Sequence, residues 1–182
     1  MLWVFGYGSL IWNPGFLWAE RHLARLSGYR RSFCMRSIHH RGTPDEPGLV
    51  LALEPMHGAG CDGVVFGVAP QQAEATMDYL RERELISSAY LEEVLPVTLR
   101  DGRRVDAVAY VVDTAHPQYC GGLDLGVQAD IIARAHGGRG PNREYLKNTV
   151  EHLEELGIAD DELRLLSRRV DQISPPTPQR ST

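Results

Sequence analysis

Two features of the sequence carry residue types suited to chemistry: a glycine-flanked turn, Gly6-Tyr7-Gly8-Ser9, and a glutamate, Glu84, at the end of an amphipathic stretch. Glycines on both sides of Tyr7 let main chain come close to a ligand and aim several N–H groups into one concavity. Such a nest suits a carboxylate, or a carbonyl oxygen that gains negative charge during a reaction. A bare Gly-x-Gly-Ser also serves as a plain tight turn, so the motif alone does not decide. Around Glu84, residues Ala73, Met77, Leu80 and Glu84 fall at i, i+4, i+7 and i+11, one stripe of a helix. A carboxylate therefore ends an apolar stripe, where burial and the negative end of the helix dipole both disfavour ionisation. The expected consequence is a raised pKa, useful to a general acid and base near neutral pH. The same position also suits a glutamate paired with Arg83, or one turned to water. Arg36 and Arg41 flank a polar loop and offer guanidinium groups for a bidentate carboxylate contact, as many surface arginines do. Tyr145, in the first turn of a helix, presents either a hydroxyl to a site or a ring to the core.

Other signatures fail on spacing. The opening Gly6-Tyr7-Gly8-Ser9-Leu10-Ile11 lacks the third glycine of a dinucleotide loop, and no helical pattern follows it. Tyr7 stands where a nucleophile elbow needs glycine, and no phosphate-loop lysine is present. His39 and His40 are adjacent, so in a strand they point to opposite faces and make no zinc pair. Three cysteines, Cys34, Cys61 and Cys120, are odd in number and far apart, which argues against a disulfide framework or metal knuckle and for reduced thiols. Cys34 and Cys61 fall in strand-like runs and read as small apolar fillers.

The elements that must position these residues follow from composition and pattern. The chain has 182 residues and a formal charge of −5, from 19 basic and 24 acidic side chains. That length suits a single domain with its own core over residues 1–173. A negative total with scattered basic residues offers no footprint for nucleic acid or an anionic membrane. No run of ~18 apolar residues predicts a membrane span, and the start lacks the pattern of a signal peptide. The expectation is a cytoplasmic monomer acting on a small molecule.

Strand-like runs cover residues 2–7, 21–27, 29–36, 48–54 and 63–69. Residues 39–47 form a polar loop with two prolines. Pro70 suits a first helical position, and a helix is expected over 71–84. Strands at 91–99 and 104–113 flank Asp101-Gly102, a hairpin signal. Helices follow at 123–135, 142–156 and 159–170, with Asn142 as N-cap of the middle one. Residues 174–182, with three prolines, read as a disordered tail. Many strands around one helix, then helices, make an α+β fold with a mixed or antiparallel sheet, open or closed into a barrel.

Taken together these residues resemble the ChaC-like γ-glutamylcyclotransferases. Trp3-Val4-Phe5-Gly6-Tyr7-Gly8-Ser9-Leu10-Ile11-Trp12-Asn13-Pro14-Gly15-Phe16 is similar to the family's opening. Tyr29-Arg30-Arg31-Ser32-Phe33, His40-Arg41-Gly42-Thr43-Pro44, Tyr79-Leu80 with Arg83-Glu84, and Asn142-Arg143-Glu144-Tyr145-Leu146 match in order. The resemblance implies a small mixed-sheet, barrel-like fold with flanking helices, and cleavage of glutathione into 5-oxoproline and cysteinylglycine. It matches Val4, Phe5, Gly6, Tyr7, Gly8 and Ser9 to the substrate-binding loop, Glu84 to the catalytic glutamate, and Tyr145 to a tyrosine of a recurrent C-terminal motif. Such a reaction uses the substrate's own α-amine as nucleophile and needs no metal or cofactor. The sequence departs where members often carry glycine shortly before the tyrosine aligned with Tyr90: here Ser87-Ser88-Ala89 intervene, at the wall near the leaving group. Other γ-glutamyl amides as substrates, or a module that binds γ-glutamyl compounds without cleaving them, are the alternatives.

Overall fold

The computed structural model describes residues 1–173, so the expected tail lies outside the described residues. Five strands close into a barrel: β1 (Leu2–Gly6), β2 (Glu20–Ser37), β3 (Gly48–Val68), β4 (Tyr90–Leu99) and β5 (Arg104–Val112), ordered β1-β3-β2-β4-β5. The sheet is mixed. β1 runs antiparallel to β3, from Leu2 opposite Val68 to Gly6 opposite Val64, and parallel to β5 at Val4 and Val108. β4 and β5 form the expected hairpin, with Gly102 at φ +88 in its turn. Val64, Val65, Phe66 and the run from Ala107 to Val112 are buried: alternate side chains point into the closed barrel, and those between them are covered on its outer face.

Two pairs of expected strands are single long ones. Gly28 lies within β2 at φ +84, and Gly58 lies within β3 at φ +78. A glycine in that region can kink or bulge a strand without reversing it, which a barrel's curvature requires. The turn residues that signalled strand ends thus mark bends.

Helix α1 (Pro70–Glu84) begins at the proline, as expected. Its Leu80 is fully buried in a cluster with Val4, Leu10, Val68, Val108 and Tyr110, and Met77, Tyr79 and Leu85 pack against that cluster. Burying one such leucine stabilises the fold by about 1.5–3 kcal/mol.

The chain groups into two compact units, Met1–Met35 with Leu51–Gly121, and Arg36–Val50 with the described residues from Gly122 to Ile173. The second holds helices α2 (Leu125–Arg134), α3 (Asn142–Glu155) and α4 (Asp161–Ile173), and a small hairpin of β6 (His136–Gly137) and β7 (Gly140–Pro141). The helices bury Ile132, Leu146, Leu153, Leu163, Leu166 and Val170. Asp124 caps α2 by accepting from the Val127 N–H at 2.9 Å. Asn142, expected as an N-cap, does something else. It is the first residue of α3, fully buried, and its amide accepts from Leu49 N–H and donates to Leu49 C=O, both at 2.7 Å. A short polar side chain inside the protein takes the partner that completes its bonding, and here that is the buried main chain at the start of β3.

Candidate active site

The barrel delivers the glycine-flanked turn. β1 is paired with β3 through Gly6 and with β5 at Val4, and beyond it Ser9–Ile11 make a single 3-10 turn. The side chains of Val4 and Phe5 are wholly inside the protein. They anchor the strand, and the main chain that can face a ligand comes after it. Gly6 packs closely there, since an added Cβ would stand 3.1 Å from Leu10 Cβ. Tyr7 is pinned twice: its hydroxyl donates to Tyr110 C=O at 2.9 Å, and its carbonyl accepts from Arg31 Nε at 2.7 Å. Arg31 also donates to the Asp62 carbonyl.

Glu84 ends α1 as expected, but it is not a lone carboxylate on an apolar stripe. Its Oε1 lies 3.1 Å from Arg83 Nε, and the arginine side chain is the more buried of the two, 11% exposed against 20%. The ion pair weighed against a solitary buried acid is the arrangement found. A guanidinium that close favours the charged carboxylate and opposes the effect of burial.

The sequence offered Arg83 only as a partner for Glu84, and its reach to the turn after β1 was not foreseen. Its Nη2 donates to Ser9 Oγ at 2.9 Å, and its Nη1 donates to Asn13 C=O at 2.6 Å and to the Tyr79 hydroxyl at 3.0 Å. One planar group therefore joins the acid at the helix end to the turn that follows β1. The run Arg81-Glu82-Arg83-Glu84 reads as a solvated helix end, and the available signal was the i, i+4 spacing of Tyr79 and Arg83.

Beside this assembly, Tyr110 on β5 lies within electrostatic range of Glu84 and donates its hydroxyl to Glu92 at 3.2 Å. Burial and the Glu92 carboxylate together push the Tyr110 phenol well above its ordinary value, so it stays a donor. Glu92 is gripped by Arg81 through bonds of 3.0 and 2.8 Å, which holds it ionised below the usual carboxylate range.

Arg41 and Tyr145 belong to the second unit and meet there. The Arg41 guanidinium carbon lies 5.6 Å from the centre of the Tyr145 ring, and Nη1 donates to Pro141 C=O at 3.2 Å. Burial lowers the Arg41 pKa, with Glu144 opposing that shift. Arg36, the other arginine of that loop, is half-buried. Among the described residues, no three His, Cys, Asp or Glu side chains gather as metal ligands, and no helix is long and apolar enough to cross a membrane.

The family model for "ChaC-like protein" matches residues 2–173, which run through both units. The chain is 38% identical over 162 residues to the glutathione-specific γ-glutamylcyclotransferase of Escherichia coli strain K12, covering 89% of this chain and 69% of that one. It is 34% identical over 178 residues to γ-glutamylcyclotransferase 2-3 of Arabidopsis thaliana, covering 94% and 89%. Among solved structures, a γ-glutamyl cyclotransferase specific to glutathione from yeast superposes with a TM-score of 0.85 at 25% identity, covering 94% of this chain and 96% of the other. These matches lead to one conclusion: the chain belongs to the ChaC-like protein family.

Proposed function

We propose that this protein is a glutathione-specific γ-glutamylcyclotransferase that releases 5-oxoproline and cysteinylglycine. The observation that carries this reading is the joining of Glu84 to the Ser9 turn through Arg83, at 3.1 and 2.9 Å. Similarity to the Escherichia coli and yeast enzymes supports the substrate.

In a γ-glutamyl amide the α-amine can attack its own γ-carbonyl and close a five-membered lactam. Holding amine and carbonyl in near-attack geometry supplies about 7–11 kcal/mol of the barrier. The α-ammonium must first lose a proton, and the departing cysteinyl amine must gain one. Glu84 does both in turn: ionised beside Arg83, it binds the ammonium and takes its proton, then returns it to the leaving nitrogen. The second proton shed by the ring nitrogen follows the same route, so a neutral lactam and the ammonium form of cysteinylglycine are released. Residues 6–9 cradle the γ-glutamyl group, and an N–H donor aimed at the carbonyl oxygen contributes about 2.7–4 kcal/mol as that oxygen becomes anionic. Val4 and Phe5 serve by anchoring the strand that carries the cradle. Arg41, poised over the Tyr145 ring, is a cation of the kind that receives a carboxylate, and its part in glutathione binding is read from the KM of Arg41→Ala. The chemistry asks for no metal or cofactor. The thiol state of Cys34, Cys61 and Cys120 fits a reducing, cytoplasmic setting, and the reaction needs only a monomer.

The test is incubation with glutathione and mass detection of 5-oxoproline, with γ-glutamyl-alanine in parallel. Release from glutathione by the parent and its near-complete loss in Glu84→Gln are expected, with glutathione binding retained by calorimetry. Faster turnover of γ-glutamyl-alanine would replace glutathione as substrate, and binding without any cleavage would make the chain a sensor. A Glu84→Gln protein as fast as the parent would remove Glu84 from the chemistry.

A further inference from the structure

We propose that Arg83 is the positioning residue of this reaction, holding the Glu84 carboxylate and the Ser9 turn in one fixed arrangement so that acid and cradle work as a unit. The inference rests on the cyclotransferase reading above and adds to it a residue that does not touch the reacting atoms.

The geometry is that of a fork with its donors committed. Nε meets Glu84, Nη1 meets the Asn13 carbonyl and the Tyr79 hydroxyl, with Pro14 C=O more distant at 3.4 Å, and Nη2 meets Ser9 Oγ. Four of the five N–H groups of a guanidinium thus have partners on both α1 and the segment after β1. Lysine supplies a charge but only a point donor on a flexible stem, so it cannot span these partners in one plane. The cation also sits in the last turn of α1, where the helix dipole favours it. Arg83 on α1 faces Glu84 directly and Tyr110 on β5 lies within its electrostatic range, while Tyr79 bonds Arg83, and Arg81 and Glu92 bear on Tyr110. The Arg83 contacts join Glu84 to the cradle.

Misplacing a catalytic group by about 1 Å costs on the order of 100-fold in rate. Arg83→Met is therefore expected to lower kcat on glutathione by about 100-fold with a much smaller change in KM. Removing the cation also disfavours ionised Glu84, so the acid limb of kcat/KM against pH moves to higher pH. Arg83→Lys is expected to return the acid limb towards the parent while kcat stays at least about tenfold low, because charge is restored and the fork is not. A purely structural arginine would lower the melting temperature and the active fraction but leave the pH profile in place.

The measurement is steady-state turnover of glutathione across pH for the full chain, Arg83→Met and Arg83→Lys, with thermal melts of each. An active parent with an unmoved acid limb and parental kcat in Arg83→Met overturns the inference and leaves the cyclotransferase reading intact. If Arg83→Met does not fold, Arg83→Lys decides: low kcat on a parental acid limb supports the inference, and parental kcat overturns it. A parent chain that releases no 5-oxoproline overturns the underlying reading, and this inference with it.

Discussion

Tyr79 lays its hydroxyl against the backbone of Gly15, so that a Cβ built on Gly15 would stand 1.9 Å from the phenolic oxygen. Gly15 also lies at φ +76, a region that costs other residues strain. The same hydroxyl accepts from Arg83 at 3.0 Å. The Asn13-Pro14-Gly15 turn therefore sets where Tyr79, and through it Arg83, can sit. Gly15→Ala is expected to push Tyr79 off Arg83, lowering stability by about 1–3 kcal/mol as overpacking does, and to slow turnover. A variant that melts with the parent and turns over at its rate would show that the contact is dispensable.

Ser9→Ala removes one acceptor from a guanidinium that is 11% exposed. Hydrogen bonds to charged groups contribute about 1.5–3 kcal/mol, so kcat/KM for glutathione should fall about tenfold or more. The fold should persist, because Ser9 follows the paired strand. Steady-state kinetics with a circular dichroism melt separate the two effects. Unchanged kinetics would detach Ser9 from the site.

Asn142→Ala leaves both the N–H and the C=O of Leu49 without their buried partner. Each such group costs about 1–3 kcal/mol when orphaned. At about 2–4 °C per kcal/mol for a chain of this size, the melting point should drop by at least about 4 °C. Asn142→Asp should also destabilise, because it keeps the acceptor for Leu49 N–H but sets an anion against Leu49 C=O. Calorimetric midpoints of the two variants within a degree of the parent would contradict this pairing.

Burial, with the Glu54 carboxylate adding to it, pushes the Cys34 thiol up from 9.0 to about 12. The folded state therefore holds the proton more tightly than the unfolded chain. The resulting stabilisation is complete below 9.0 and is lost as pH rises towards about 12. At pH 8 the native thiol should resist alkylation, since the thiolate is the nucleophile. Mass spectrometry after iodoacetamide should find label on the half-buried Cys120 before Cys34. Rapid labelling of Cys34 in the folded protein would be the contrary result.

Much of the framework of the candidate site was legible because its signals are local. The Gly6-Tyr7-Gly8-Ser9 turn follows a short β-branched and aromatic run, and the helix starting at Pro70 shows its stripe at helical spacing. Both came out where the pattern put them, as did the Asp101-Gly102 hairpin. Gly28 and Gly58 misled because a glycine that bends a strand and one that ends it look alike in sequence. Asn142 misled in the same way, since an N-cap and a buried strand partner call for the same amide. The link from Arg83 to the turn was invisible: its partners Ser9, Asn13 and Pro14 lie about seventy positions earlier in the chain.

By itself, then, the sequence determined the elements, the turn, and the acid at the end of α1, because dihedral preference and hydrophobic period act over a few residues. Tertiary structure decided which reading of Glu84 holds, that Tyr7 is tied to Tyr110 on the neighbouring strand, and that one guanidinium joins helix to turn. Those outcomes depend on closing β1 against β5, a hundred residues apart. Burial then forces every charged and polar group to find whichever partner the closure has brought within reach.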